Sequence, residues 1–513
     1  AVGAARVFGA CRAFELPSGK TGLRAVLRLA CSSHDAVKAE AAKVVAASLD
    51  VQACETGSHK ALEAAKRACS LIRGCGAVDL QCLEALIAAA EKAASEKKDF
   101  ERVATPKLVR ALWDVAAASK VDASTRVAAC RFLATCCSAV GSKVVDGPSL
   151  ADAAQFVVVD ESVDCALAEA LGRLVRDSKK KDLAPTCALL REALFAHDSG
   201  DGHWYGACDA VLAATFQLED DPETCVGDAL RSLAEKAQLL SEEPEGKAGA
   251  LARVLHAAGA AALLGLVAVE ELGSKLKKGS QPVKKVVVEG DDDDLANAAG
   301  GAGEDAERDA RLLRLVEEKI VGVKADGFVA ALAPVAAKVA SRALARRGAV
   351  PGVLHRSAVL FLAKVSCVSR GVCEEYLPLL ITTLARAPDA LARQNVAVAL
   401  GDLASRQPNS VEPWTDHVYG ALRDSDATVR AAVLATLAHL ALNDMIKARG
   451  GGVAEVALLV VDGDEVYPVE DYKREQIERF FRKTLGAPFD KDVPVAALDY
   501  KISSVRFLDD SDI

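Results

Sequence analysis

Between Leu377 and Gly450 two successive pairs of helical stripes follow one another in the same register, and this limits the fold more than any other stretch of the chain. Leu377, Leu380, Ile381 and Leu384 fall at i, i+3, i+4 and i+7, the spacing of one buried helix face. A turn at Ala387-Pro388-Asp389 leads into a second stripe, Val396, Ala399, Leu400 and Leu403, with Arg393 four residues after the aspartate. The next pair repeats the plan with Trp414, Val418, Ala421 and Leu422, then Asp426, Arg430 and the stripe Val433, Leu437, Leu440 and Ala441. Arg393 and Arg430 stand 37 residues apart (430 − 393). A helix pair of this length cannot bury its apolar face alone, so it must stack on neighbours.

Composition agrees. Hydrophobic residues make up 51% of the 513, aromatic ones only 4%, and alanine dominates, so helices approach closely over a long, thin core. The expected fold is all-α, a HEAT/armadillo-type α-solenoid, a superhelix of antiparallel helix pairs. Asp122 with Arg126 reproduces the turn-plus-arginine pattern, and His34-Asp35-Ala36-Val37-Lys38 is a basic variant of it. The aspartate caps a helix N-terminus and the arginine one turn on reaches the aspartate of its own or the adjacent repeat. Asp160 to Val175 and Asp221 to Leu239 continue the series with degenerate turns. From Lys275 the rhythm stops: five lysines precede Asp291 to Asp294 and a Gly/Ala-rich stretch, a composition with too little apolar surface to order itself. The chain is therefore divided into a first solenoid half (1–273), a disordered charged and Gly-rich loop (274–308), a second half (309–485) and a polar tail (486–513).

Most chemistry is excluded by inspection. The most apolar piece, Ala257 to Val269, is too short for a membrane span and reads as a buried repeat helix; no secretory signal is visible, which predicts an intracellular protein. Met445 is the only methionine and Ala1 comes first, which predicts a piece of a longer protein. The 15 cysteines lie in helical patterns such as Cys130, Cys136 and Cys137, without the spacing of a zinc or redox pair, and are expected to be reduced core residues. Ser18-Gly19-Lys20-Thr21 fails as a phosphate loop because Phe14 occupies the position of the required first glycine, and Gly301 and Gly303 sit in low-complexity sequence. The eight histidines (His34, His59, His197, His203, His256, His355, His417 and His439) are scattered, and Glu374 and Glu375 sit side by side on a solvated helix edge. No catalytic, cofactor or metal site is expected, and no small-molecule substrate. A net charge of −9 argues against a wholly basic surface. Local basic clusters remain: Arg173, Arg176, Lys179, Lys180 and Lys181 at one helix end, Arg342, Arg346 and Arg347 at another, and Lys447 with Arg449. Dipole stabilisation explains cations at helix C-termini; contact with DNA phosphates is the functional reading.

The run Ala399-Leu400-Gly401-Asp402-Leu403-Ala404, then Arg406, Pro408-Asn409, Glu412-Pro413-Trp414-Thr415, Tyr419, Leu422-Arg423-Asp424, Val429-Arg430, His439-Leu440 and Leu442-Asn443-Asp444-Met445 resembles the condensin subunit 1 family. Weaker collinear matches are Gln81-Cys82-Leu83-Glu84, Leu112-Trp113, Trp204 with Asp221-Pro222-Glu223-Thr224-Cys225, and Arg253 through Gly259 into Ala261 and Leu263. The resemblance covers about residues 75 to 485, with an insertion after Glu465 before Phe480-Phe481 and without the family's later repeats. It implies a non-enzymatic HEAT-repeat subunit that docks on the kleisin subunit and the SMC ATPase pair, contacts DNA and chromatin including histones, and serves mitotic chromosome condensation in the nucleus, with a cytoplasmic pool in interphase. A nuclear-transport receptor or a phosphatase scaffold is the competing expectation. Within the resemblance Trp414 is expected to open an apolar stripe, and Asp402 and Asn409 to serve as turn or interhelical hydrogen-bond groups.

Overall fold

The computed structural model describes residues 23–446, apart from 33–34, 55–56, 97–101, 160–161, 197–201, 240–243, 280–310, 312–327 and 444. The Ser18–Thr21 turn, Gly301 and Gly303, Lys447 and Arg449, Phe480-Phe481 and the tail lie outside these residues, as do His34 and His197. The contacts divide the chain into two compact units, Ala1–Ala229 and Leu230–Ile513.

In the first unit the principal helices are α1 (Asp35–Leu49), α2 (Ser58–Arg73), α3 (Ala77–Glu96), α4 (Pro106–Ala117), α5 (Ala123–Val140), α6 (Gly147–Ala154), α7 (Cys165–Ser178), α8 (Ala184–Ala196) and α9 (His203–Leu218). Helix α10 (Pro222–Leu239) crosses the division. From α4 onward each helix packs on its hairpin partner, and α2 to α9 pack on the second helix along, which gives two layers, α2–α4–α6–α8 and α3–α5–α7–α9. That is the HEAT-type stack. Turn chemistry explains where the helices begin. Thr105, Asp122, Asp146 and Asp164 each accept a backbone N–H from the first turn of α4, α5, α6 and α7. Two buried tryptophans bond to the backbone of neighbouring elements: Trp113 Nε1 donates to Val144 O in the 3-10 turn after α5 at 2.8 Å, and Trp204 Nε1 to Leu194 O near the end of α8 at 3.3 Å. A two-residue antiparallel ladder, Val158–Val159 with Ser162–Val163, is the one addition to the expected all-α plan among the described residues.

In the second unit the helices are α11 (Pro244–Gly279), α12 (Phe328–Ala345), α13 (Gly352–Val368), α14 (Arg370–Arg386), α15 (Ala390–Arg406), the short α16 (Thr415–Gly420) and α17 (Ala427–Leu442). One layer is α11–α13–α15–α17 and the other α12–α14–α16. Helix α13 is buried nearly all round, as a helix enclosed by four others must be. Helix α11 contains Ala248–Lys275, long and apolar enough to cross a membrane by length and composition, yet 67% of its apolar window is buried. Val254 to Ala262 are covered, the core helix expected of this stretch. Its end at Gly279 carries helix into the first residues of the expected 274–308 loop.

The stripes of α14, α15 and α17 are buried as their spacing requires. The intervening helix differs. Pro413 and Gly420 break it into Pro408–Val411, a 3-10 turn at Glu412–Trp414, α16, and a second 3-10 turn at Ala421–Arg423. Val418 and Leu422 keep their buried places, but Trp414 is displaced to a half-buried position beside His417, with ring centroids 5.4 Å apart.

Two glycines of the second unit sit at close helix approaches. A Cβ on Gly259 would lie 3.2 Å from Phe361 Cα, at the α11–α13 contact, and one on Gly401 would lie 2.7 Å from Thr436 Cγ2, at the α15–α17 contact. Gly401→Ala is expected to destabilise the protein by about 1–3 kcal/mol through overpacking. Thr436→Ser, which deletes the opposing methyl, should recover most of that loss; chemical denaturation of the two single variants and the double variant measures it, and no recovery would mean that α15 and α17 do not meet at this glycine.

Candidate nucleic-acid interface

The expected basic residues fall into two very different settings. In the first unit Asp164 starts α7 by accepting the Leu167 N–H at 2.9 Å, and the helix ends at Lys179, whose φ of 54° is left-handed. Along it Arg173 pairs with Glu169 one turn back at 2.5 Å. Burial works against the charge of Glu169, but a hydrogen bond to His203 and the neighbouring Arg173 and Arg131 hold its carboxyl below the usual range. Arg176 binds Asp177, with Nε to Oδ1 at 2.7 Å, and Asp177 also accepts the Ser138 hydroxyl at 2.5 Å. Lys180 Nζ donates to Val145 O at 2.9 Å. Lys181 Nζ meets Asp220 at 2.9 Å with both side chains exposed, a contact worth about 0–1 kcal/mol. This cluster therefore spends three of its five cations on carboxylates and a fourth on a carbonyl. Of these five, Lys179 alone is exposed with no side-chain bond to a described residue.

In the second unit Arg342, Arg346 and Arg347 are all exposed, with no ion pair or hydrogen-bonded side chain among the described residues. Arg342 lies in the last turn of α12, while Arg346 and Arg347 follow its end, Arg346 still donating its backbone N–H to Arg342 O at 3.2 Å. They border a line of turns joined by buried arginines. Arg393, in the first turn of α15, forms a two-pronged bridge to Asp424 in the next repeat, with Nε to Oδ2 at 2.7 Å and Nη2 to Oδ1 at 2.8 Å. Its Nη1 also donates to Ala387 O at 2.7 Å, at the C-terminal end of α14. The side chains of Arg393 and Asp424 are 11% and 9% exposed. The arginine thus reaches across to the adjacent repeat, one of the two arrangements expected, although its partner is Asp424 and not Asp426, which caps α17 through the Thr428 N–H at 2.8 Å. The Thr428 hydroxyl and N–H hold the Asp426 carboxyl below its usual range against some desolvation.

Arg356 went unread in the sequence. It stands 37 residues before Arg393 (393 − 356), and its guanidinium lies 3.6 Å from Asp389. Arg430, the third in the register, donates to Asp424 O at 2.8 Å. Arg126 departs from the expected pairing with aspartate: buried, it donates to Ala116 O, Ala118 O and Val121 O and covers the Phe156 ring at 3.8 Å. It closes the carbonyl end of α4, where the helix leaves acceptors unfilled.

Asp402 differs from its expected role. It lies within α15, half-buried, and its Oδ2 has no hydrogen-bond partner, so burial pushes the carboxyl up to about 7. Asn409 is exposed. The described cysteines are free and mostly buried, and burial raises the Cys69 and Cys373 thiols to about 11 and those of Cys130 and Cys137 to about 12, far from thiolate chemistry. Among the described residues no group of three or more His, Cys, Asp or Glu could hold a metal ion.

Two measurements follow. Losing Arg393 leaves the largely desolvated Asp424 without its partner, so Arg393→Ala should cost about 3 kcal/mol. A double-mutant cycle with Asp424→Ala should show coupling of at least about 1 kcal/mol, and additive effects would remove the bridge. For Asp402, the folded carboxyl keeps its proton to a higher pH than the unfolded chain, whose value is about 3.9. Its contribution to stability therefore falls as pH rises from about 4 to about 7. Asp402→Asn should gain on the parent across that window in denaturation at several pH values; a constant difference would contradict the buried carboxyl.

A family model described as non-SMC mitotic condensation complex subunit 1 matches residues 391–466, the block that opens with α15 and contains α17. Condensin complex subunit 1 of Mus musculus is 31% identical over 298 residues, covering 52% of this chain and 20% of the relative. Condensin-1 complex subunit CAP-D2 of Arabidopsis thaliana is 41% identical over 112 residues, 22% of this chain and 8% of the relative. A crystal structure of importin beta overlaps 93% of this chain and 57% of its own at 15% identity with a TM-score of 0.36, a likeness on which nothing here rests. The chain spans about a fifth of the length of the mouse relative. By these matches the chain is similar to condensin complex subunit 1, and residues 391–466 match that family's model.

Proposed function

We propose that the chain is a non-catalytic HEAT-repeat subunit of a condensin complex, holding the kleisin subunit, the SMC ATPase pair and DNA together during mitotic chromosome condensation. The observation that carries this reading is where the condensin family model falls: residues 391–466 take in Arg393, its two-pronged bridge to Asp424 and the Asp426 cap of α17, the elements that join α15 to the next repeat. A stack of helical hairpins offers long ridges and grooves to an extended polypeptide without needing a pocket, which suits a kleisin segment. ATP hydrolysis belongs, in this reading, to the SMC partners, and the subunit acts in the nucleus on chromosomes. DNA contact falls to the exposed Arg342, Arg346 and Arg347, because most of the cations from Arg173 to Lys181 already have partners within the fold.

Affinity purification of the tagged chain from mitotic cells tests the assignment. The kleisin and both SMC ATPases should be recovered with it in stoichiometric amounts. Recovery of a nuclear-transport GTPase or a phosphatase catalytic subunit in their place would overturn it.

A further inference from the structure

His355 on α13 and Asp402 on α15, two helices packed on each other, each carry an enclosed polar atom without a hydrogen-bond partner. His355 stands in the first turn of α13 and is 2% exposed, and the atom left over is its Nε2. Gly352, His355 and Arg356 fall at i, i+3 and i+4, on one side of that turn. There Arg356 reaches Asp389 Oδ2, and a Cβ on Gly352 would lie 3.7 Å from the same oxygen. The other oxygen, Oδ1, already accepts the Leu391 N–H at 3.0 Å. A charged imidazole here would set a second cation beside Arg356 with one shared carboxylate to satisfy both.

Asp402 is in the opposite position with respect to charge. Its Oδ2 has no donor, and Arg406, one turn on along α15, is engaged by Glu270 of α11. Cys367 of α13 lies close enough to feel the Asp402 charge, but burial keeps its thiol protonated. The other titratable groups on the helices packed around the pair are committed or turned outward. Arg370 and Glu374 of α14 bind each other, His439 of α17 meets Asn443, Lys338 and Arg342 of α12 are exposed, and His256 is buried on α11. Burial holds the His355 imidazole below its ordinary range, with Asp389 favouring the proton and Arg356 opposing it; burial alone raises the Asp402 carboxyl.

We propose that folding takes one proton from His355 and places one on Asp402, both exchanged with solvent, so that α13 and α15 close on each other with both groups uncharged. An enclosed charge without a partner is costly, and neutralising each group removes that cost. The two demands have opposite signs. His355 resists in the fold a proton that the unfolded chain binds below about 6.5, so its contribution is complete above that pH and is lost as the pH falls. Asp402 keeps in the fold a proton that the unfolded chain releases above about 3.9, so its contribution is complete below that pH and is lost as the pH rises to about 7. In weakly acid solution the two effects oppose, and each group offsets the pH dependence of the other. Acid charges His355 and base charges Asp402; either charge loosens the joint.

Two readouts on the 513-residue chain test the paired protonation. In the NMR spectrum the His355 imidazole, assigned by its loss in His355→Gln, should still be uncharged at about pH 6, where an ordinary histidine is mostly charged. Amide exchange of α13 and α15, corrected for its intrinsic pH dependence, gives the opening constant of the joint at about pH 5 and about pH 6.5. Relative to the parent, the constant of Asp402→Asn should fall at least fivefold from the lower pH to the higher, while that of His355→Gln should rise at least threefold. A merely structural role for either residue would shift its constant by the same factor at both pH values. Titration of His355 as an ordinary histidine, a pH-independent ratio in either variant, or ratios that move in the same direction would each overturn the proposal.

Discussion

The Arg393 guanidinium is the joint on which the second unit turns. It closes the carbonyl end of α14, clamps the turn before α17 through both oxygens of Asp424, and grows from the first turn of α15. Three helices and two repeats are thereby fixed by one planar group. A lysine could not do this, because a point charge cannot fill two parallel acceptors and a third at right angles. The bridge does not supply most of the stability; the apolar seam of α11, α13, α15 and α17 does that. It sets register. Sliding one hairpin by a turn would take the guanidinium away from Asp424 and the α14 carbonyl in a nearly dry position, a cost that a purely apolar alanine-rich seam would not impose.

Small side chains make that seam possible and also make it demanding. Where α15 meets α17 there is room for no more than a hydrogen at Gly401, and α11 approaches α13 closely enough for Gly259 to face backbone. Helices this near exclude water from anything polar between them. Asp402, one residue after Gly401, is buried enough for desolvation to push its carboxyl up to about 7. The first unit solves its turns differently. Arg126 caps carbonyls and lies over Phe156, and the cations at the end of α7 are absorbed by Glu169, Asp177, Asp220 and Val145 O. The same residue types at the same kind of helix end are consumed in one unit and left outward in the other.

How far the sequence could be read follows from whether a signal is local. The stripes of α14, α15 and α17 and the caps at Asp122, Asp389 and Asp426 depend on spacings of a few residues, and the structure places them as expected. The condensin resemblance was legible because its motifs are long. Trp414 was misplaced because Pro413 and Gly420 break a helix that periodicity alone runs straight through. Arg356 stands in register but outside the aspartate-plus-arginine pattern, because Gly352 occupies the place that Asp389 holds in the next repeat. In the basic cluster the i, i+4 partner Glu169 was within reach of sequence reasoning, but Asp220, 39 residues from Lys181, was not. The charge of a surface is set by such distant neighbours, which explains why five clustered cations proved a weaker guide to exposed charge than three.

The central claim is that α13, α15 and α17 form one cooperative unit locked in a 37-residue register. Amide hydrogen exchange, read by mass spectrometry on the parent and on Arg356→Ala, tests it most directly. If the account is right, the three helices are protected to a common level in the parent, and loss of the Arg356 contact raises exchange in α15 and α17 as well as α13. Three unrelated levels of protection, or a change confined to α13, would show that the repeats are stacked but not coupled.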